Sequence, residues 1–233
     1  MTYVMSDING RYDLLIHMVD MIQLGDDDTL CILGNVVDRG PEPIRCLQYI
    51  MQHDNIVLLV GNGRLINTIA QIINYGSATT NIQDTVYKYG GKIAIAQLEL
   101  LDRDTLVTML EYLQSRCECV RIDVDDKIYV MIYNTIDCYD VVCDGDIIIS
   151  GYTSTRGVSN AVEIACNRHN YALVKQALQT QIDRGYHDRI MYLPQRIYID
   201  CGVIAGGNLA CLRLDDMTEY YISAAKRRRK NHN

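Results

Sequence analysis

The chain has 233 residues, 48% of them hydrophobic and 22% charged, with a formal net charge of −7, enough to bury a full core as one domain. No apolar run approaches the roughly 18 residues needed to span a bilayer. The opening MTYVMSDING has neither a basic nor an apolar segment of signal-peptide type, so a cytoplasmic protein with no membrane association is expected. The charge includes five cations at Lys226–Lys230; the rest of the chain is therefore more acidic still and a poor partner for nucleic acid.

Taken in order, the first elements alternate. Thr2–Ser6 is a short apolar strand ending at Asp7, and Tyr12, Leu15, Ile16, Val19 and Ile22 then recur at the spacing of one helical face. Thr29–Leu33 is a second strand. Pro41 and Pro43 suit the first turn of a helix carrying Ile44, Leu47 and Met51 inward. Ile56–Val60 is a third strand, followed by a helix with Ile66, Ile69, Ala70 and Ile73 on one stripe. Further helices are expected at Lys92–Leu101 and Thr105–Ser115. A hairpin follows at Val120–Val124 and Lys127–Ile132, and a strand at Asp146–Ser150. A helical region is expected from Asn160 to about Arg184. Arg196–Asp200 and Asn208–Leu214 read as strands with Gly206-Gly207 as the turn between them. Strand, loop, helix, three times over, is an α/β pattern with parallel strands. The whole reads as a single domain over residues 1–225 with a basic, disordered tail over 226–233.

Two compositional features stand beside this pattern. The chain has 17 Tyr and neither Phe nor Trp, so every buried aromatic hydroxyl needs a partner. Its nine cysteines are scattered, and Cys117-Glu118-Cys119 lacks the spacing of a zinc or redox site, which points to reduced thiols.

Three loops at the carboxyl ends of the predicted strands, where ligands bind in open α/β sheets, carry the distinctive residues. They are SDING at Ser6–Gly10, GNVVDRGP at Gly34–Pro41 and LLVGNGR at Leu58–Arg64. With them the chain resembles the calcineurin-like metallophosphoesterases, in particular the bacterial Ser/Thr protein phosphatases and dinucleoside tetraphosphate hydrolases, whose pattern is [GS]D-x-H-G, G-D-x-x-D-R-G and G-N-H-E. The resemblance is tight over residues 2–66 and again over 199–220. It implies an α/β sandwich of two mixed sheets flanked by helices. It also implies a centre with two divalent metals (Mn, Fe or Zn) held at the positions of Asp7, Asn9, Asn35, Asn62, Tyr133 and Tyr152. The last two are the best matches to the ligands of V-H-A-G and G-H-T-P phrases. The short interval between Tyr133 and Tyr152 makes convergence of their loops doubtful.

Of these six positions only Asp7 and Asn62 keep the family's residue. Neutral amides and phenols of pKa ~10 are weak partners for two divalent ions, which need carboxylates and imidazoles. Gly63 stands where the family's general acid belongs, leaving Asp38 without the group it would orient, and loss of such an acid alone lowers rate about 10²–10⁴-fold. Arg39 matches the arginine that pairs with substrate phosphate, and Arg64 adds a second guanidinium; alternatively Arg39 pairs with Asp38 or Asp7 and holds the loops together. The five histidines, His17, His53, His169, His187 and His232, lie away from the three loops. The expectation is a phosphatase-like pseudoenzyme with no resident cofactor. The alternatives are an active phosphoesterase (protein phosphatase or dinucleoside polyphosphate hydrolase) with an unorthodox metal site and a non-catalytic module that uses Arg39 and Arg64 to bind phosphate, a phosphorylated small ligand or a partner.

Overall fold

The computed structural model describes residues 1–60, 63–133, 145–155, 188–193 and 195–225. The predicted helix from Asn160 to Arg184, the basic tail, Asn62, His169, His187 and His232 lie outside them.

Among the described residues ten strands form two five-stranded mixed sheets. The first combines β1 (Thr2–Met5), β2 (Thr29–Ile32) and β3 (Ile56–Leu58), all parallel, with the antiparallel β9 (Asn208–Arg213) and β10 (Glu219–Ser223), in the order β10-β9-β1-β2-β3. The second contains β4 (Cys119–Val124), β5 (Lys127–Ile132), β6 (Ile147–Ser150), β7 (Met191–Leu193) and β8 (Arg196–Tyr198), in the order β4-β5-β6-β8-β7. Strand alternation builds the layers. Tyr3, Met5, Leu30, Ile32, Leu209 and Cys211 point to the helices, whereas their neighbours Val4, Cys31, Ala210 and Leu212 point to Tyr129, Met131 and Ile149 of the second sheet.

The helices α1 (Tyr12–Ile22), α2 (Pro43–Met51), α3 (Arg64–Tyr75), α4 (Thr80–Lys88), α5 (Lys92–Leu98) and α6 (Arg103–Gln114) supply the other layer of that core. Pro43 stands in the first turn of α2 as expected. Asp102 caps α6 by accepting from the Thr105 N–H at 2.8 Å. The buried faces of α1 and α3 are rotated from the expected stripes. Leu14, Leu15, Met18 and Ile22 are the enclosed residues of α1, Leu15 and Ile22 as expected, and Thr68, Ile69 and Ile72 those of α3. Both stripes hold enough apolar residues that several rotations are amphipathic, and only the neighbouring helices choose one. Helix α4 was not anticipated; it has no fully buried residue, and only Ile82 and Val86, four apart on one face, pack partly buried against the core.

The expected hairpin of β8 with β9 is wrong. The two strands belong to different sheets, and the connection contains a 3₁₀ turn at Val203–Ala205, closed by Gly207 N–H to Gly202 O at 2.9 Å. Gly207 allows this because a Cβ there would lie 2.2 Å from the Cys201 carbonyl oxygen. Buried tyrosines do find partners: Tyr221 donates to Glu219 at 2.6 Å and accepts from the Ile190 N–H at 3.0 Å. Tyr112 is the exception among the described residues. Cys31, Cys46, Cys117, Cys201 and Cys211 are free thiols, and among the described residues no helix is long and apolar enough to cross a membrane.

Candidate functional site

The loops after β1 and β2 are zipped together backbone to backbone. Asn9 N–H donates to Asn35 O and Gly10 N–H to Val36 O, both at 2.7 Å, and Glu42 N–H donates to Gly10 O at 3.0 Å. This close approach needs two glycines: a Cβ on Gly40 would lie 2.1 Å from the Asn9 carbonyl oxygen, and one on Gly10 would lie 3.0 Å from Gly40. Five non-glycine residues around the resulting cleft, Asp7, Asn9, Asn35, Arg39 and Tyr152, have φ between 48° and 65°. Such left-handed backbone costs about 1–2 kcal/mol for an ordinary residue and less for Asn or Asp, and it concentrates where loops are held for function.

At the centre is the buried carboxylate of Asp7. Oδ1 accepts from Asn35 Nδ2 at 2.6 Å; Oδ2 accepts from Ser6 Oγ and from the Tyr152 N–H at 2.9 Å. Asn9 Nδ2 donates to the Asp7 carbonyl at 2.7 Å, and Tyr133 donates its hydroxyl to Asn35 Oδ1 at 3.0 Å. The rings of Tyr133 and Tyr152 lie 5.2 Å apart. The short interval between these tyrosines therefore does not keep their loops apart: both β5 and β6 end beside Asp7, because they are adjacent parallel strands. Burial, and next the charge of Asp7, raise the Tyr133 phenol well above its ordinary value, so it serves as a donor and not as an anionic ligand. Burial also raises Asp7, against the lowering effect of its hydrogen bonds from Ser6, Asn35 and Tyr152.

The two arginines occupy one rim of the cleft. Arg64 Nη2 lies 3.9 Å from Asp38 Oδ2, and its guanidinium lies over the Tyr89 ring at 4.0 Å. Arg39 is held differently: its N–H donates to Gly90 O at 3.0 Å, and its side chain crosses the bare face of Gly90, where a Cβ would meet Cγ at 2.2 Å. Among the described residues its guanidinium makes no ion pair, so the pairing of Arg39 with Asp38 or Asp7 is not seen. Asp38 is raised by burial and lowered in turn by Arg64 and Arg39. Of the described histidines, His17 is exposed on α1, and His53 stacks on Tyr49 at 4.1 Å; neither lines the cleft.

The cleft, of about 650 Å³, also contains Asp200, which sequence reasoning passed over. The only signal was an Asp at the end of a strand and two residues before a glycine, a weak one. Its Oδ1 accepts from the Gly202 N–H at 2.9 Å. Burial, and then the charge of Asp7, push its carboxyl up to about 7 from an ordinary 3.8. The folded chain thus holds a proton that the unfolded chain releases, so this group lowers stability progressively as pH rises from about 4 to about 7. Asp200→Asn is expected to match the parent near pH 4 and to exceed it by about 2–4 kcal/mol at pH 8 in urea unfolding. Parallel pH profiles for the two proteins would show that Asp200 titrates normally.

No family model matches the chain. It is similar to the symmetrical bis(5'-nucleosyl)-tetraphosphatase of Neisseria meningitidis serogroup A, with 31% identity over 85 residues, covering 36% of this chain and 30% of that protein. It is also similar to the enzyme of the same name from Salmonella newport, with 38% identity over 60 residues, 25% of this chain and 21% of that one. The chain thus matches less than a third of the length of these curated relatives. A solved structure provisionally described as a diadenosine tetraphosphatase superposes over 95% of this chain and 92% of its own length, with a TM-score of 0.53 at 12% identity. The chain is similar in sequence to bis(5'-nucleosyl)-tetraphosphatases and carries the two-sheet fold of the calcineurin-like metallophosphoesterases.

Proposed function

We propose that the protein is a phosphatase-like pseudoenzyme: a metallophosphoesterase scaffold that binds a phosphorylated small ligand through Arg39 and Arg64 without turning it over. One observation carries this reading. Asp7 is the only carboxylate at the six ligand positions named by the resemblance, and both of its oxygens are engaged by Ser6, Asn35 and Tyr152. The Asn35 oxygen in turn accepts from Tyr133. This donor set of amides and phenols does not fit two divalent ions, which need anionic bridging oxygens and imidazoles. Among the described residues no three His, Cys, Asp or Glu side chains gather as a metal-binding group. No hydrolytic step is therefore assigned to these residues, and Gly63 offers no proton to a leaving group.

Anion recognition needs none of that chemistry. Arg39 presents a guanidinium to the cleft, and Arg64 is steadied between Asp38 and Tyr89. Calorimetric titration is expected to find inorganic phosphate bound in the millimolar range, about −4 kcal/mol. Arg39→Ala should weaken it about tenfold or more, since charge-assisted hydrogen bonds are each worth about 1.5–3 kcal/mol. Elemental analysis of protein purified without chelator should find far less than one equivalent of Mn, Fe or Zn. Two tightly held metals per chain, or phosphate binding indifferent to Arg39→Ala, would overturn the reading.

A further inference from the structure

A second, narrow recess opens from the same cleft and shares Asn35, Asp38 and Arg64 with it. Behind these three its walls are aliphatic: Val36, Leu47, Leu58, Leu59, Leu65 and Leu113. It is open at Gly63, where a built Cβ meets no atom within 4 Å. The polar groups at its mouth are already engaged with one another, Asn35 with Asp7 and Tyr133, and Arg64 with Asp38. Deeper in, no side chain among the described lining residues offers a hydrogen bond to a ligand.

We infer that this recess is the specificity pocket for the ligand's non-phosphate half, and that the ligand is the phosphomonoester of an apolar alcohol. The inference rests on the anion reading above and adds the ligand class to it. Arg64 at the mouth of the aliphatic recess and Arg39 in the adjoining cleft match a dianionic head with a hydrocarbon tail. A nucleobase would bury ring nitrogens and exocyclic groups against leucines without partners, which is unfavourable.

The test compares inorganic phosphate, methyl phosphate, butyl phosphate and adenosine monophosphate on the full chain by calorimetry. Each buried methylene is expected to tighten binding about fourfold, so butyl phosphate should exceed methyl phosphate by about tenfold or more. Val37→Phe, at a partly buried position lining the recess, should erase that difference and leave inorganic phosphate unchanged. The parent series alone decides the matter should the variant fail to fold. Equal affinities for methyl and butyl phosphate, with inorganic phosphate still bound, would overturn the pocket and spare the anion reading. Adenosine monophosphate binding more tightly than butyl phosphate would overturn the apolar class. No binding of inorganic phosphate would overturn the anion reading and this inference with it.

Discussion

Asn35→Asp is expected to destabilise the metal-free protein by about 2–3 kcal/mol at neutral pH, and Asn9→His added to it should let Mn reverse the loss. The amide of Asn35 now donates to Asp7 Oδ1 at 2.6 Å. A carboxylate in its place removes that donor and sets two negative charges against each other in a buried site, so a buried acceptor is left unsatisfied. A divalent cation between them is the remedy, and binding to the folded state alone raises stability with metal concentration. Thermal unfolding with and without Mn reads this directly. The backbone is already suited to the change, since Asn9 and Asn35 occupy left-handed conformations that His and Asp tolerate better than most residues.

The full set, adding Gly63→His, Arg64→Glu, Tyr133→His and Tyr152→His, should bind Mn at least about 100-fold more tightly than the pair. The loops bearing Tyr133 and Tyr152 meet beside Asp7, so the second set of ligands has a place to assemble. Turnover of an aryl phosphate should follow only when Gly63→His is present, because an oriented acid contributes about 10²–10⁴ in rate. Gly63 has φ 59°, so histidine there is strained by about 1–2 kcal/mol. Catalysis is therefore expected to return after metal binding. Single reversions should restore almost no turnover, as residues acting as a unit are not additive. If the Asn9→His, Asn35→Asp pair shows no Mn-dependent stabilisation, the equivalence of these loops to metal-binding loops is wrong.

Gly40→Ala is expected to be among the most damaging single substitutions, with a loss of about 3 kcal/mol or more and a fall in Tm of about 10 °C. Its Cβ would lie 2.1 Å from Asn9 O and 2.5 Å from Gly10 C. Both are backbone atoms in loops already zipped by three hydrogen bonds, so neither can swing aside as a side-chain end would. Gly76→Ala is the control. Gly76 has φ 77°, but a Cβ there meets nothing within 4 Å, so only the conformational strain of about 1–2 kcal/mol should register. Equal losses for the two would mean that the loops separate easily and that the cleft is not rigid.

The three strand-end loops were legible because local signals agreed. Short apolar runs stopped at Asp7, Gly34 and Val60, and Pro41 and Pro43 marked where the second helix begins. Asp200 was not legible, since its raised carboxyl comes from burial and then from the charge of Asp7 across the cleft, not from any neighbour in sequence. The same holds for the aliphatic recess. Val36, Leu47, Leu58 and Leu113 come from four separate elements or loops, and their shared wall exists only once α2 and α6 pack beside β3.

The sequence by itself determined that the chain is α/β, where its first three strands end, and that the residues at those ends are poor in metal ligands. Those facts depend on periodicity, turn residues and side-chain identity, all of which are local. Only the tertiary structure decided which sheet each strand joins, and with it that β8 and β9 part company at a 3₁₀ turn. It also decided that Tyr133 and Tyr152 meet at Asp7 and that Arg39 stands clear of Asp38. Strand pairing and loop convergence follow from burying both faces of the first sheet at once, between helices on one side and the second sheet on the other. That requirement couples residues more than a hundred positions apart, so no local window of the chain contains it.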